Sequence, residues 1–418
     1  MRRLYTALFY LITPFLVVRL LIKSRRLNAY RQRVSERFSF VNSAPTPVDV
    51  WVHATSLGEV VTASPLIEAM LALQWRVLVT TMTPTGSQHV TKRFGAQVVH
   101  QYIPYDLPML FRRFFKKYTP RLGIIMETEL WPNAIYQAKR ENIPLFLLNA
   151  RLSDKAFKQY KKVAWMFKPV LNCFEAVFAQ SEEDARRFMA LGASTDKVDM
   201  LGNMKFDVEC PIAFNDECAQ LKEKWGQKRP VIIAASTHDN EEQQWLSHLR
   251  QLQTSIAKVM LLLVPRHPER FNAVYELSVG QGFNTARRSQ PLSIHENTEV
   301  VIVDSLGELM DFYRVSDYAF VGGSLVPVGG HNVLEPIALD VPVFCGPYIH
   351  NAKALCKALK DADAIVIAND IDEVVTAIST MHEHTEQKSQ QVTSASLVLA
   401  VNRGTVKRYV EKIEAILV

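Results

Sequence analysis

The sequence predicts two doubly wound α/β domains in tandem, preceded by an apolar helix with basic flanks. Three observations carry this. The 418 residues exceed what one ordinary core accommodates and suit two lobes of about 150 to 200 residues. Short apolar runs recur with helical stretches between them, the pattern of parallel strands buried on both faces. That series breaks once, over a polar, acid-mixed stretch from Asp207 to Lys228 containing Pro211, and then restarts.

The first series of runs is 48–54, 76–82, 97–103, 122–127, 144–150, 176–180 and 197–202. The second is 231–236, 259–265, 300–304, 318–323, 341–346 and 364–368. The expected organisation is therefore an N-terminal anchor and basic segment (1–40), a first domain (41–207), a linker (208–228) and a second domain (229–418). A return of the final helix, 404–417, to the first lobe stays open. Tandem sheets of this kind would bind ligands at their carboxyl edges, in a cleft between the lobes.

Composition excludes several classes. Apolar residues make up 48% and charged residues 22%, as in a globular protein. The net charge of +6 is unevenly placed: residues 1–40 carry nine Lys/Arg against Glu36, or +8, leaving −2 for the rest. An excess confined to one short segment argues against nucleic acid as a partner. That segment holds an apolar stretch from Leu4 to Val18, then Arg19, then Leu20-Leu21-Ile22. No small-residue cleavage site follows, because Lys23-Ser24-Arg25-Arg26 comes next. A membrane anchor is expected, spanning if Arg19 snorkels and otherwise lying in the interface, with the basic cluster holding anionic lipid on the cytoplasmic side.

The five cysteines (Cys173, Cys210, Cys218, Cys345, Cys356) show neither a C-x-x-C pair nor zinc-ligand spacing, which suits a reduced cytoplasmic protein. Cys345 lies in an apolar run and reads as core. No Gly-x-Gly-x-x-Gly follows a candidate first strand, and no Walker-type Gly-Lys-Ser/Thr occurs, so NAD chemistry and P-loop phosphotransfer lose their footing. His382-Glu383-His384 reads as a solvated turn, and no metal site is expected.

The richest segment is Gly322-Gly323-Ser324, followed by Gly329-Gly330-His331-Asn332 and Glu335-Pro336. Glycines let backbone N–H groups approach a phosphate, and a following helix start adds donors and positive partial charge. Glu335 would then accept from ribose hydroxyls. The alternative is a tight strand-to-helix turn with His331 as its cap. In the same lobe, Ser305 and Glu308 have capping-box spacing within Asp304–Met310, and Pro265-Arg266-His267-Pro268-Glu269-Arg270 sets an arginine beyond a buried strand, where it can pair with phosphate.

In the first lobe, Thr55-Ser56-Leu57-Gly58-Glu59 follows a strand and presents a carboxylate at a helix start, suited either to a general base or to helix stabilisation. Glu127-Thr128-Glu129-Leu130-Trp131-Pro132-Asn133 brings two more acids to the same edge, and Lys205 follows the last strand of the lobe. Arg112, Arg113, Lys116 and Lys117 interleave with aromatics, and Lys155, Lys158 and Lys162 share a helical stripe behind Arg151. These are solvated faces or a surface for a phosphorylated lipid.

Taken in order along nearly the whole chain, Ser56–Glu59, Glu127–Asn133, Asn149-Ala150-Arg151-Leu152-Ser153, Gly202-Asn203-Met204-Lys205-Phe206-Asp207, Pro265–Arg270 and the Gly322–Glu335 block closely resemble the 3-deoxy-D-manno-octulosonic acid (Kdo) transferases of Gram-negative lipopolysaccharide synthesis. The resemblance implies a GT-B architecture of two Rossmann-like domains. It implies CMP-Kdo as donor with no separate cofactor, a lipid A precursor (lipid IVA) as acceptor, and work at the cytoplasmic face of the inner membrane. It implies Glu59 as catalytic base, with Glu129 and Lys205 stabilising the transition state. CMP contacts are implied at Pro265 and Arg266, at Leu306, Gly307 and Glu308, and at Asn332, Val333, Leu334 and Glu335. An epimerase of the same fold would need neither anchor nor lipid acceptor, and a non-catalytic scaffold would not need the glycine-rich segment.

Overall fold

The structure, a computed structural model, describes residues 2–26, 31–40, 44–207, 220, 223, 225 and 229–417. The expected linker, with Cys210, Pro211 and Cys218, lies almost wholly outside them. The chain divides into two compact units: Met1–Asp207 with Gly404–Val418, and Val208–Arg403.

The first unit is built on seven parallel strands: β1 (Val50–His53), β2 (Val77–Thr81), β3 (Val99–Tyr102), β4 (Leu122–Met126), β5 (Leu145–Ala150), β6 (Ala176–Ala179) and β7 (Val198–Met200), in the order β3-β2-β1-β4-β5-β6-β7. β1, β2, β4, β5 and β6 are buried at every position, because helices cover both faces. The strand order reverses between β1 and β4, so loops leaving their carboxyl ends diverge and open a crevice. On one face Trp51 packs edge-on against Phe114 and Phe115 of the helix Pro108–Tyr118, and its indole N–H donates to Thr80 Oγ1 at 2.8 Å. The aromatics of that helix are thus core, while Arg112, Arg113 and Lys116 between them face solvent. Gly123 is small for the same packing reason: a Cβ there would sit 2.9 Å from the Trp51 ring and 2.5 Å from Leu145 Cδ2.

Two terminal helices complete this unit. The helix Arg2–Arg26 docks one face: Tyr5 O–H donates to Asp106 Oδ2 at 2.8 Å, Thr6 O–H donates to Asn133 Oδ1 at 2.8 Å, and Phe9, Leu16 and Val17 pack on Tyr105, Leu107 and Leu110. Its other face exposes Leu4, Leu8, Leu11, Phe15, Val18 and Ile22, spaced four and three apart on one stripe. By length and composition the segment Arg3–Leu20 is able to cross a membrane.

At the other end, the helix Thr405–Leu417 packs on the helix Leu57–Ala72 and puts Tyr409 and Ile413 into the core beneath β1 and β4. The expected second domain runs to 418, whereas the second unit closes at Arg403. The reason is a cap supplied from far away in sequence: the Asp207 carboxylate accepts the N–H groups of Gly404 at 2.6 Å, Thr405 at 3.3 Å and Val406 at 2.6 Å.

The second unit repeats the architecture with β8 (Val231–Thr237), β9 (Met260–Pro265), β10 (Thr285–Arg287), β11 (Val300–Ile302), β12 (Tyr318–Val321), β13 (Val343–Cys345) and β14 (Val366–Ile367), ordered β10-β11-β9-β8-β12-β13-β14 and all parallel. The edge strand β10 has no counterpart in the sequence reading, since Thr-Ala-Arg forms no apolar run. Here the order reverses between β8 and β12, so the crevice belongs to the loops after those strands.

Candidate active site

In the first unit, the crevice collects three acids. Ser56 caps the helix Leu57–Ala72, and Glu59 reaches back toward that cap: its Oε2 accepts the Thr55 N–H at 2.8 Å and its Oε1 accepts the Ser56 hydroxyl at 2.9 Å. The carboxyl is nonetheless pushed up to about 7, mainly by burial and further by the Glu129 and Glu127 charges, with the two hydrogen bonds opposing. Glu127 directly follows β4 in the left-handed region (φ 55°), and Glu129 Oε2 accepts the Trp131 indole N–H at 2.7 Å. A group that is half-ionised near neutrality and hydrogen-bonded in place has the attributes of a general base.

One neighbour escaped the sequence reading. His53, inside an otherwise apolar strand, is buried between Thr80 Oγ1 (3.0 Å from Nδ1) and Thr55 Oγ1 (3.1 Å from Nε2), with its ring edge-on to Trp131. Burial lowers its imidazole to about 4, so it stays neutral. A histidine two residues before Thr55 in an apolar run was the available signal.

Lys205 sits in the single-turn helix Met204–Phe206 after β7, which packs on the helix Leu57–Ala72. Asn203 Oδ1 accepts its N–H at 3.0 Å, and Asn149 Oδ1 accepts that of Met204 at 3.1 Å. Its ammonium forms no ion pair among the described residues.

In the second unit the structure corrects the sequence reading of the glycine segment. The N–H groups of Gly323, Ser324 and Leu325 do not face an open phosphate site. They donate to the buried Glu241 carboxylate at 2.7, 3.1 and 2.9 Å, and the His238 N–H adds a fourth bond at 2.9 Å. Gly329 and Gly330 donate to the Gly323 carbonyl at 3.0 and 2.7 Å, and His331 donates its N–H to the Gly322 carbonyl at 3.2 Å. The glycines serve close packing instead: a Cβ on Gly322 would lie 2.6 Å from the Ser236 carbonyl oxygen, and Gly323 adopts φ +68°.

Of the residues expected around CMP, Pro265 ends β9 and the Arg266 N–H donates to the Thr237 carbonyl at 2.9 Å. Val333 and Leu334 are buried. Asn332 pins the loop, its amide donating to Glu335 Oε1 at 3.1 Å while its Oδ1 accepts the Leu334 N–H at 3.1 Å. Burial raises the Glu335 carboxyl, against the pull of Asn332 and of the Arg266 charge, so Arg266 and Glu335 share one field. Leu306 and Gly307 are exposed, and Glu308 pairs with Arg288 at 2.7 Å. Ser305, expected to cap the next helix, instead donates to Glu308, and the helix Leu309–Arg314 starts after it. Among the described residues no three His, Cys, Asp or Glu side chains form a group able to hold a metal ion.

Residues 32–208 match the family model described as 3-deoxy-D-manno-octulosonic-acid transferase (kdotransferase). The 3-deoxy-D-manno-octulosonic acid transferase of Haemophilus influenzae is 37% identical over 415 residues, covering 98% of this chain and 97% of that protein. The transferase of the same name from Bordetella pertussis is 33% identical over 384 residues, covering 89% and 88%. Two solved structures share the fold at low identity. A glycosyltransferase from Rickettsia africae has TM-score 0.58 and 14% identity over 90% of this chain and 99% of its own, and the S. aureus MnaA structure with UDP has TM-score 0.56 and 13% identity over 88% and 96%. The two doubly wound sheets are those of a GT-B enzyme, and near-full-length identity above 30% leaves one conclusion: this chain belongs to the 3-deoxy-D-manno-octulosonic acid transferase family, the Kdo transferases, and is a glycosyltransferase.

Proposed function

We propose that the protein is an inverting glycosyltransferase of lipopolysaccharide biosynthesis that moves Kdo from CMP-Kdo to a lipid A precursor, lipid IVA, with Glu59 as general base. The observation that carries this reading is Glu59 itself, a carboxylate at the switch point of the first sheet, pushed up to about 7 and flanked by two further acids. The acceptor hydroxyl loses its proton to Glu59 as its oxygen attacks the anomeric carbon of Kdo. The bond from that carbon to the phosphate oxygen breaks on the opposite face, and CMP departs with the electron pair. Glu129 and Lys205 would stabilise charge in the transition state, Glu129 held by Trp131 and Lys205 carrying an ammonium without an ion pair among the described residues.

The second unit would bind the cytidylate half at Pro265, Arg266, Leu306, Gly307, Glu308, Asn332, Val333, Leu334 and Glu335. Since backbone donors of the glycine turn serve Glu241, the charge on the phosphate falls to side chains, with Arg266 foremost. The helix Arg2–Arg26 would hold the enzyme to the anionic cytoplasmic face of the inner membrane by its outward stripe, in which Phe15 is 75% and Leu11 70% exposed, and by the basic residues behind it.

The test is incubation of the protein with CMP-Kdo and lipid IVA, read by mass spectrometry. An acceptor mass increased by one or more Kdo units is the expected outcome. Consumption of donor without any change in acceptor would sink the proposal in favour of a sugar-nucleotide isomerase or hydrolase.

A further inference from the structure

Beside the glycine turn stands a set of side chains that the transfer mechanism above leaves unused: His238 after β8, His267 after β9 and His331 after β12. His238 and His331 meet Nε2 to Nε2 at 2.8 Å, with ring planes 2° apart and centroids separated by 5.1 Å. A centroid separation nearly twice the contact distance places the rings edge to edge in one plane, so the two nitrogens point at each other. Two bare imidazole nitrogens would repel at that distance, so one proton must lie between them. His267 stands edge-on to His238 with centroids 5.3 Å apart.

The backbone beneath the pair is held in place. Glu241 fixes the His238 backbone and the glycine turn with one buried carboxylate. Gly323 makes room for both rings: a Cβ there would lie 3.1 Å from His331 Cδ2 and 3.4 Å from His238 Cδ2.

The charges around the pair are one-sided. Arg266 and His267 face it from the loop after β9, and Arg266 makes no side-chain hydrogen bond or ion pair among the described residues. The nearby acids are otherwise occupied. Asp239 and Glu242 are both paired with Arg270, at 2.7 and 2.9 Å, Glu241 accepts four backbone N–H groups, Glu269 lies 3.9 Å from His267, and Glu335 accepts from Asn332. Burial, then the His238 ring and the Arg266 guanidinium, lower His331 to about 4, and burial with the neighbouring His267, Arg266 and Arg270 lowers His238 as well, so the free pair is neutral at pH 7.

We propose that His238 and His331 form a proton-coupled anion receptor in the donor site: neutral when free, the pair takes up one proton when an anion seats against it and Arg266. This rests on the reading of the second unit as the donor-binding unit. The ligand chemistry is a phosphodiester or a sugar carboxylate, either of which supplies the negative charge that makes the second proton favourable. Each imidazole then has an N–H to offer the anion, and the rings part slightly as the shared proton becomes two.

The experiment is calorimetric titration of the full-length protein at pH 7 with cytidine 5′-methyl phosphate, a phosphodiester that does not itself titrate near neutrality, and separately with free Kdo. Each runs in two buffers of different ionisation enthalpy. The expected result is uptake approaching one proton per bound phosphodiester, with affinity weakening by up to about tenfold per pH unit above neutrality. His238→Asn should retain the probe at about tenfold lower affinity with the uptake gone, and His331→Asn should do the same. Uptake with Kdo alone assigns the anion to the carboxylate and upholds the receptor. Phosphodiester binding without proton uptake in the wild type overturns the receptor but leaves the donor-site reading standing, as does uptake that persists in both variants. Binding of neither probe overturns the receptor, and in a protein that also fails to consume CMP-Kdo it overturns the donor-site reading as well.

Discussion

Replacing Glu59 by Gln separates its chemistry from its energetic cost. The carboxyl is raised from 4.5 to about 7, chiefly by burial. At about 1.4 kcal/mol for each tenfold change in proton affinity, ionising it in the folded protein costs about 3 kcal/mol relative to the unfolded chain. The sign follows from the direction: the folded state holds the proton more tightly, so the penalty is absent below pH 4.5, grows between 4.5 and about 7, and is constant above. Glutamine can keep both local contacts, its oxygen accepting from Thr55 N–H and its amide donating to Ser56 Oγ, so little structure is lost. Urea unfolding should therefore show Glu59→Gln matching wild type near pH 4.5 and exceeding it by up to about 3 kcal/mol at pH 8. Kdo transfer by the same variant should fall by about 10²- to 10⁴-fold. In the wild type, only about a tenth of the base is ionised at pH 6 if its pKa is near 7, so the initial rate should drop about tenfold per unit on the acid side. A rate flat down to pH 5, transfer by the variant near the wild-type rate, or a stability difference independent of pH would each refute the assignment.

Glu241→Gln turns an amide N–H₂ toward the His238 and Gly323 donors, leaving two backbone N–H groups unmet at about 1–3 kcal/mol each; a drop of about 2–6 kcal/mol in unfolding free energy is expected, and a loss below 0.5 kcal/mol would contradict the network. Tyr409→Phe removes the hydroxyl that donates to the Gly202 carbonyl at 2.9 Å and accepts the Asn149 N–H at 3.1 Å, and should destabilise the first unit by about 1–3 kcal/mol in the same assay. Leu8→Glu combined with Phe15→Glu places charges on the outward stripe of the N-terminal helix and should shift the protein from the membrane pellet to the supernatant on fractionation; unchanged pelleting would remove that stripe from the anchor.

The strands were legible because burial on both faces writes itself locally, as runs such as Val50–His53 or Met260–Pro265. β10 escaped because a three-residue edge strand needs no apolar run. Glu59 was legible as a helix-start acid, but not as a raised one, since that depends on burial and on Glu127 and Glu129 arriving from β4. The glycine segment was legible as special, but sequence could not choose between a phosphate site and a tight turn: it exposes an excess of glycine, while the partner of the freed N–H groups, Glu241, lies more than eighty positions earlier.

What the sequence by itself determined is therefore the kind of the elements and all but one of the strands, their grouping into two doubly wound sheets, the apolar basic N-terminus and the family of the enzyme. Tertiary structure alone decided that Asp207 calls the last helix back into the first unit across 197 positions, that Glu241 occupies the glycine turn, and that His238 and His331, 93 positions apart, share a proton. The division has one physical cause. Apolar periodicity is a property of neighbouring residues, whereas hydrogen-bond partners and perturbed proton affinities arise only when the ends of distant parallel strands are brought to the same edge of a sheet.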